Sequence, residues 1–305
     1  MTNQTVTNRA TGAVTDPVHV AKRHALPTME WEGLIVLPGG VVIAGDEFRP
    51  GSVTADADGG AIFKFVPQMP RTGTGNIASL ADSPLVTGSV YAMQVSCVDD
   101  RAQFGQGCEI GNAAWLLVNA ATARVDADVK GATGYYRPED LHQDPMYSDP
   151  TKPDAVRFCW TNTGNEEVNN YAEVVCGVDA EPPTADASKR SVIVNRFVEG
   201  DRDFNSFDNL DFQPKTGNLY VSEDHANGDV FACLADGADR DIKTDGCVKM
   251  LSVKDSSAEP TGFIFSNDGS TAYVTIQRSD DAAMPNMDDY ATDDVIKITG
   301  FKVKK

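Results

Sequence analysis

The chain has 305 residues, with 26 basic against 45 acidic side chains and a formal charge of −19. A surface of that sign excludes nucleic acid as a partner, because phosphate binding needs clustered Lys and Arg. The length supports one large β domain with a full core, and no apolar run is long enough to span a bilayer as a helix.

Residues 1–26 are polar and threonine-rich and read as a flexible N-terminal arm without the apolar stretch of a signal peptide. Residues 27–305 read as a single domain. Strand signals begin at 34–37 and 41–44, joined by the turn Pro38-Gly39-Gly40. A third strand, 61–66, alternates apolar and polar residues. The DADGG run before it, 56–60, lacks the closing glutamate of an EF-hand and is a turn. Strands at 90–96 and 114–118 flank the first two cysteines, and 119–132 has room for a short helix. Residues 134–145 open a further unit, with strands at 156–161 and 173–178. A strand at 192–197 leads into two near-copies of one hairpin, 207–225 and 259–277. Strands at 230–234 and 248–253 lie between the copies, and 295–303 closes the chain.

Long helical periodicity is absent, and short strands punctuated by Gly, Pro and Asn-Asp turns argue for an all-β fold. Hairpin copies about fifty residues apart fit the blades of a β-propeller, five to six in number and some with insertions. A β-sandwich is the alternative, but it does not call for repeated copies of one hairpin.

The six cysteines form three sequence-local couples, Cys97–Cys108, Cys159–Cys176 and Cys233–Cys247. None has CxxC spacing, so zinc or thioredoxin-type chemistry fits poorly. Local couples across loops predict disulfides, and with them an oxidising compartment, periplasmic or extracellular.

In a propeller the first strand of each blade lines the central channel. The polar residues entering those strands are Glu32, Glu139, Asn209 and the stretch 259–261, with Glu259 the acid there. Carboxylates gathered on an axis repel unless a cation sits among them. An oxygen-only ligand set suits a hard ion such as calcium. The ends of the second strands add Asp46, Glu47, the run 161–163, Glu223, Asp224 and Gln277. Glu47 and Glu223 are the ligand candidates there, with Asp224 and Gln277 as orienting neighbours. Arg49 and Arg196 end strands and can face an anionic substrate. His225 is the one histidine at such an end, and Trp31, Trp115 and Trp160 are expected in the core. The sequence carries no GxSxG, Walker loop, HExxH or dinucleotide fingerprint.

Four segments, in order, carry a family likeness. FDNLDFQPKTGNLYVSEDHANGDVF resembles the DNLAFDP-x-GNLWxxxDG segment of PhoX-type alkaline phosphatases, and AEPTGFIFSNDGSTAYVTIQRSDD resembles their E-x-TGPxFTPDGxTLFVNIQ segment. GYYRPEDLHQDP with WTNT is similar to their RPEDIE and TNN segments. WEGLIVLPGGVVIAGDEFRP with GGAIFKFVP is similar to their glutamate-bearing strand, GDD turn and YKFVP strand. The resemblance implies a six-bladed, often exported propeller that hydrolyses phosphomonoesters with an axial cluster of calcium and iron. Carried over by motif, Glu32, Glu139, Glu223 and Glu259 become metal ligands. Glu139 and the strand-end Arg196 are the expected catalytic residues. The TCEE-type segment that serves iron in that family has no counterpart in this sequence, which leaves calcium as the expected ion and iron as a second candidate. The expected partner is a small phosphorylated substrate, and the expected state a monomer. Two other readings fit the same residues: a calcium-bearing propeller lactonase or esterase, and a non-catalytic secreted propeller that binds a partner through its loops.

Overall fold

In a computed structural model, described over residues 21–51, 59–96, 110–235, 246–279 and 292–303, the alternating runs become antiparallel strands, and the Gly- and Asn-containing turns between them close hairpins. The first unit holds β1 (Trp31–Val36), β2 (Val42–Asp46), β3 (Ile62–Pro67), β4 (Gly88–Val95) and β5 (Gly111–Val118), each paired with the next. The second holds β6 (Pro138–Gln143), β7 (Val156–Asn162), β8 (Glu173–Asp179) and β9 (Val192–Glu199). The third holds β10 (Phe207–Phe212), β11 (Leu219–Glu223), β12 (Asp229–Cys233) and β13 (Val248–Ser252), and the fourth β14 (Glu259–Phe265), β15 (Thr271–Ser279) and β16 (Thr292–Thr299). One short helix, α1 (Ala123–Val129), follows β5.

The first strands of successive units lie side by side: β1 against β6, β6 against β10, and β10 against β14. That succession is propeller-like. Four such units are formed by the described residues, where the hairpin spacing suggests five or six. The difference arises at residues 88–118. Their two long strands do not start a new unit but extend the first sheet, and β5 then pairs with β9 so that the first two units share nine hydrogen-bonded strands.

Burial alternates with the strand period of two along β1 and the first half of β9, while β2 and β11 are buried throughout. Ile43, Trp115, Leu141 and Trp160 fill the space between the first and second units. Phe197, Phe207, Phe212 and Leu219 do so between the second and third, and Tyr220, Phe263, Phe265 and Val274 between the third and fourth. The far face of the first sheet is covered by Ala123 and Ala127 of α1, with Ala25, Leu26 and Met29 packed against them. Ala25 and Leu26, at the end of the expected arm, are thus part of the core. Trp115 and Trp160 are fully buried, but Trp31 is 38% exposed.

Lys64 departs from the alternation that would turn it to solvent. Its ammonium is fully buried and donates to Asp179 Oδ2 (2.8 Å) and the Thr184 carbonyl (2.6 Å), tying β3 to β8. Cys159–Cys176 joins directly paired residues of β7 and β8, and Cys233–Cys247 joins β12 to the start of β13. Cys97 and Cys108 lie outside the described residues. No helix among the described residues is long and apolar enough to cross a membrane.

Candidate metal centre

The four first strands share one local device. Each hairpin slips register once, between Trp31 and Leu34, Pro138 and Leu141, Phe207 and Leu210, and Thr261 and Phe263. Two residues of the first strand then face one of the second, which is a β-bulge. The frames align as EWEGL (30–34), RPEDL (137–141), SFDNL (206–210) and EPTGF (259–263). The bulged pairs are Glu32-Gly33, Glu139-Asp140, Asp208-Asn209 and Thr261-Gly262. Opposite them stand Gly45, Thr161, Ser222 and Thr275. The first residue of each of the first three frames accepts a backbone bond from the end of its second strand: Glu30 O from Glu47 N (3.0 Å), Arg137 O from Thr163 N (3.2 Å) and Ser206 O from Asp224 N (2.5 Å).

The bulge re-aims its first residue. Glu32, Glu139 and Asp208 converge, with one carboxylate oxygen from each lying within 4.8 Å of the others. Glu139 and Asp208 are buried, and Glu32 stands at the open side. Their acidities record the crowding. Burial, then the adjoining Asp208 carboxyl, pushes Glu139 up to about 10. Enclosure by protein, then the charges of Asp208 and Glu47, raises Glu32 to about 8. Burial, reinforced by Asp224, Asp140 and Glu259, raises Asp208 to about 6.

Arg137 is the cation of this centre. Its guanidinium bonds Glu47 (2.7 Å) and Asp224 (2.9 Å) and lies 2.5 Å from Glu139 Oε1. Its backbone is in the left-handed region, φ +55°, as is Ser206 at the matching place, φ +52°. Non-glycine residues reach that region rarely and at a cost.

The other expected residues fall as follows. Glu47 sits beside Glu32 and Arg137. Glu259 is buried, bonded by Gln277 and paired with Arg278, and adjoins Asp224. Asn209 does not join the acids: its Oδ1 accepts from Thr261 Oγ1 (3.0 Å) and from the Gly262 amide, one unit further on. Glu223 spends its two oxygens on the amides of Asn205 and Asp229, each at 3.0 Å. His225 leans on that carboxylate at 3.4 Å. Arg196 lies out on β9, its Nε 2.5 Å from Glu173, which also receives Asn162 Nδ2. Asp46, at the same frame position as Asn162 and Glu223, is held by both nitrogens of the Arg124 fork and by Glu30 N. Asp208 and Arg137 were not singled out from sequence. The signal that finds them is the frame itself, since stacking FDNL on PEDL puts Asp208, not Asn209, under Glu139.

A hard cation fits this donor set. Every converging donor is a carboxylate oxygen. Glu139 Oε1 is buried and meets the Arg137 guanidinium at 2.5 Å, with Thr163 beside it.

The described strands form a propeller-like β fold in which acids from successive first strands gather within reach of one cation. The family model for alkaline phosphatase PhoX matches residues 51–280. The chain belongs to the PhoX alkaline phosphatase family. That family implies a metal cofactor, and the hairpin that supplies Glu32 lies upstream of the matched stretch. A comparison with curated proteins found no match.

Proposed function

We propose that the protein hydrolyses phosphomonoesters in a metal-dependent reaction, with calcium held by Glu32, Glu139 and Asp208 and iron as the second candidate ion. The observation that carries this reading is the convergence of those three carboxylates from three separate units, in a chain of the PhoX family. When bound, the ion supplies charge stabilisation at the phosphoryl oxygens.

The protein's own part follows from its charges. At alkaline pH, where Glu32 and Asp208 are ionised, the acids of this cluster present a field that repels a phosphate dianion unless a cation is bound. Arg137 partly offsets that field and offers a planar fork suited to phosphate oxygens. In this reading Arg137, rather than Arg196, orients the substrate, because Arg137 lies against the converging acids and Arg196 lies out on β9 beside Glu173. Arg278, 72% exposed at its side chain and paired with Glu259, stands where an approaching anion first meets positive charge. The two disulfides support export to the periplasm or beyond, and we take the working form as a monomer.

The test is turnover of p-nitrophenyl phosphate by the purified chain, with chelator, with calcium added back, and in a Glu139→Gln variant. Chelation should abolish turnover, calcium should restore it, and the variant should lose at least about 100-fold. Turnover indifferent to chelator would overturn the metal requirement. A calcium-loaded chain with no turnover would leave a binding protein instead.

A further inference from the structure

At two junctions a side chain from one bulge accepts from a backbone amide in the bulge of the next unit, at the fifth frame position in one case and the fourth in the other. Asp140 Oδ2 accepts from Leu210 N (3.0 Å), and Asn209 Oδ1 accepts from Gly262 N. At the first junction no side chain fits, since a Cβ on Gly33 would lie 2.0 Å from Leu141 N. Leu141 N instead bonds Asp140 Oδ1 at 2.8 Å. Asp140 therefore caps the Leu141 amide of its own strand with one oxygen and the Leu210 amide of the next unit with the other.

Thr161 makes a second tie at the same junction. It is fully buried on β7, opposite the bulge. Its hydroxyl accepts from Asp140 N (3.1 Å) and donates to the Asp208 carbonyl. A single hydroxyl thus spans the backbones that carry Glu139 and Asp208. Among the described residues, Ser222 and Thr275, its counterparts in the frame, bond first-strand residues of their own hairpins, Asn209 and Thr261. The β6–β10 junction is also the one where buried carboxylates converge from both sides.

We propose that Asp140 and Thr161 are positioning residues that latch the bulge of β6 to the bulge of β10 and so set the spacing between Glu139 and Asp208. This rests on the reading of those acids as cation ligands. Neither residue touches the ion or the substrate; they act through the backbone, as outer partners of ligands do.

The experiment is calcium titration of the full chain by calorimetry, with manganese(II) as a second probe ion. It compares wild type, Thr161→Val, Thr161→Ser and Asp140→Asn, with a urea midpoint for each. Val keeps the shape of Thr and removes the hydroxyl, and Ser restores the hydroxyl. Thr161→Val and Asp140→Asn should weaken ion binding about 10-fold or more, and Thr161→Ser should stay near wild type. Full-strength binding by Thr161→Val and Asp140→Asn, with only the urea midpoint lowered, would reduce the latch to an ordinary structural contact and overturn it. If one of those two fails to fold, the other decides. Wild-type protein that takes up neither ion would overturn the cation site and the latch together.

Discussion

Arg137 and Glu139 stand two residues apart at the entrance of β6, and their charged ends come within 2.5 Å. An ideal strand places such neighbours on one face but parallel to each other. Here the left-handed turn at Arg137 and the bulge at Glu139 fold them together. The guanidinium therefore reaches three acids from three units, Glu47, Glu139 and Asp224. Replacing Arg137 by Met should strand the buried Glu139 and leave the half-buried Glu47 and Asp224 unpaired by it, costing about 3 kcal/mol of stability in the metal-free chain. It should lower kcat/KM for p-nitrophenyl phosphate about 100-fold. Added calcium should recover most of the stability and little of the turnover, because an ion screens acids but does not replace the fork. Denaturation and steady-state rates at matched calcium check both halves.

The bulge register gives a paired prediction. Asp208 faces the other acids, and its neighbour Asn209 faces the fourth unit. Asp208→Asn should lose calcium affinity by about 10-fold or more, since a carboxylate ligand is removed. Asn209→Ala should retain calcium binding within a few-fold while losing about 1–2 kcal/mol of stability from its hydrogen bonds. Calorimetric titration beside urea unfolding separates the two. The reverse ranking would mean that the strand is read one residue out of register.

The metal-free chain should lose stability as pH rises. Glu32, Glu139 and Asp208 hold protons up to about 8, 10 and 6 in the folded state, and unfolded carboxyls release theirs near 4. Between those limits the folded state binds more protons, so unfolding becomes easier with each step upward in pH. Calcium replaces the protons and should flatten the curve. Urea midpoints from pH 5 to 9, with and without calcium, test this, and parallel curves would refute it.

His142 is a cationic group that adds, in the same direction, to the loss of stability at alkaline pH. Burial alone would lower its pKa, but bonds to Asp140 and Asp211 outweigh that and raise it to about 10. A base raised above its unfolded value stabilises fully below pH 6.5 and loses the contribution as pH passes through about 10. Its ring lies 3.4 Å from Asp140 and 3.2 Å from Asp211, bridging β6 and β10. His142→Gln should cost about 1–2 kcal/mol near pH 6, and the gap from wild type should close above pH 10. A gap independent of pH would mean that the charge plays no part.

Much of the fold is legible in the residues alone. Turn sequences such as Pro38-Gly39-Gly40 and Ser266-Asn267-Asp268-Gly269 mark the hairpins, because few other residues tolerate those backbone angles. Period-two apolar runs mark the strands, and two cysteine couples close as their spacing suggests. The likeness of PEDL, FDNL and PTGF points to acids in related places. What eludes inspection is the single extra residue in each first strand. A bulge reverses the parity of everything before it, so counting along a regular strand selects Asn209 and passes over Asp208.

Local chemistry written in the chain determined the elements: which stretches extend, where they turn, and which acids begin each first strand. Those are short-range preferences, readable wherever the residues stand. The partnership of Glu32, Glu139 and Asp208, the commitment of Glu223 to backbone amides, and the merging of residues 88–118 into the first sheet were decided only by packing. They depend on which distant backbone lies alongside, and that follows from the energy of the whole arrangement rather than from any one segment.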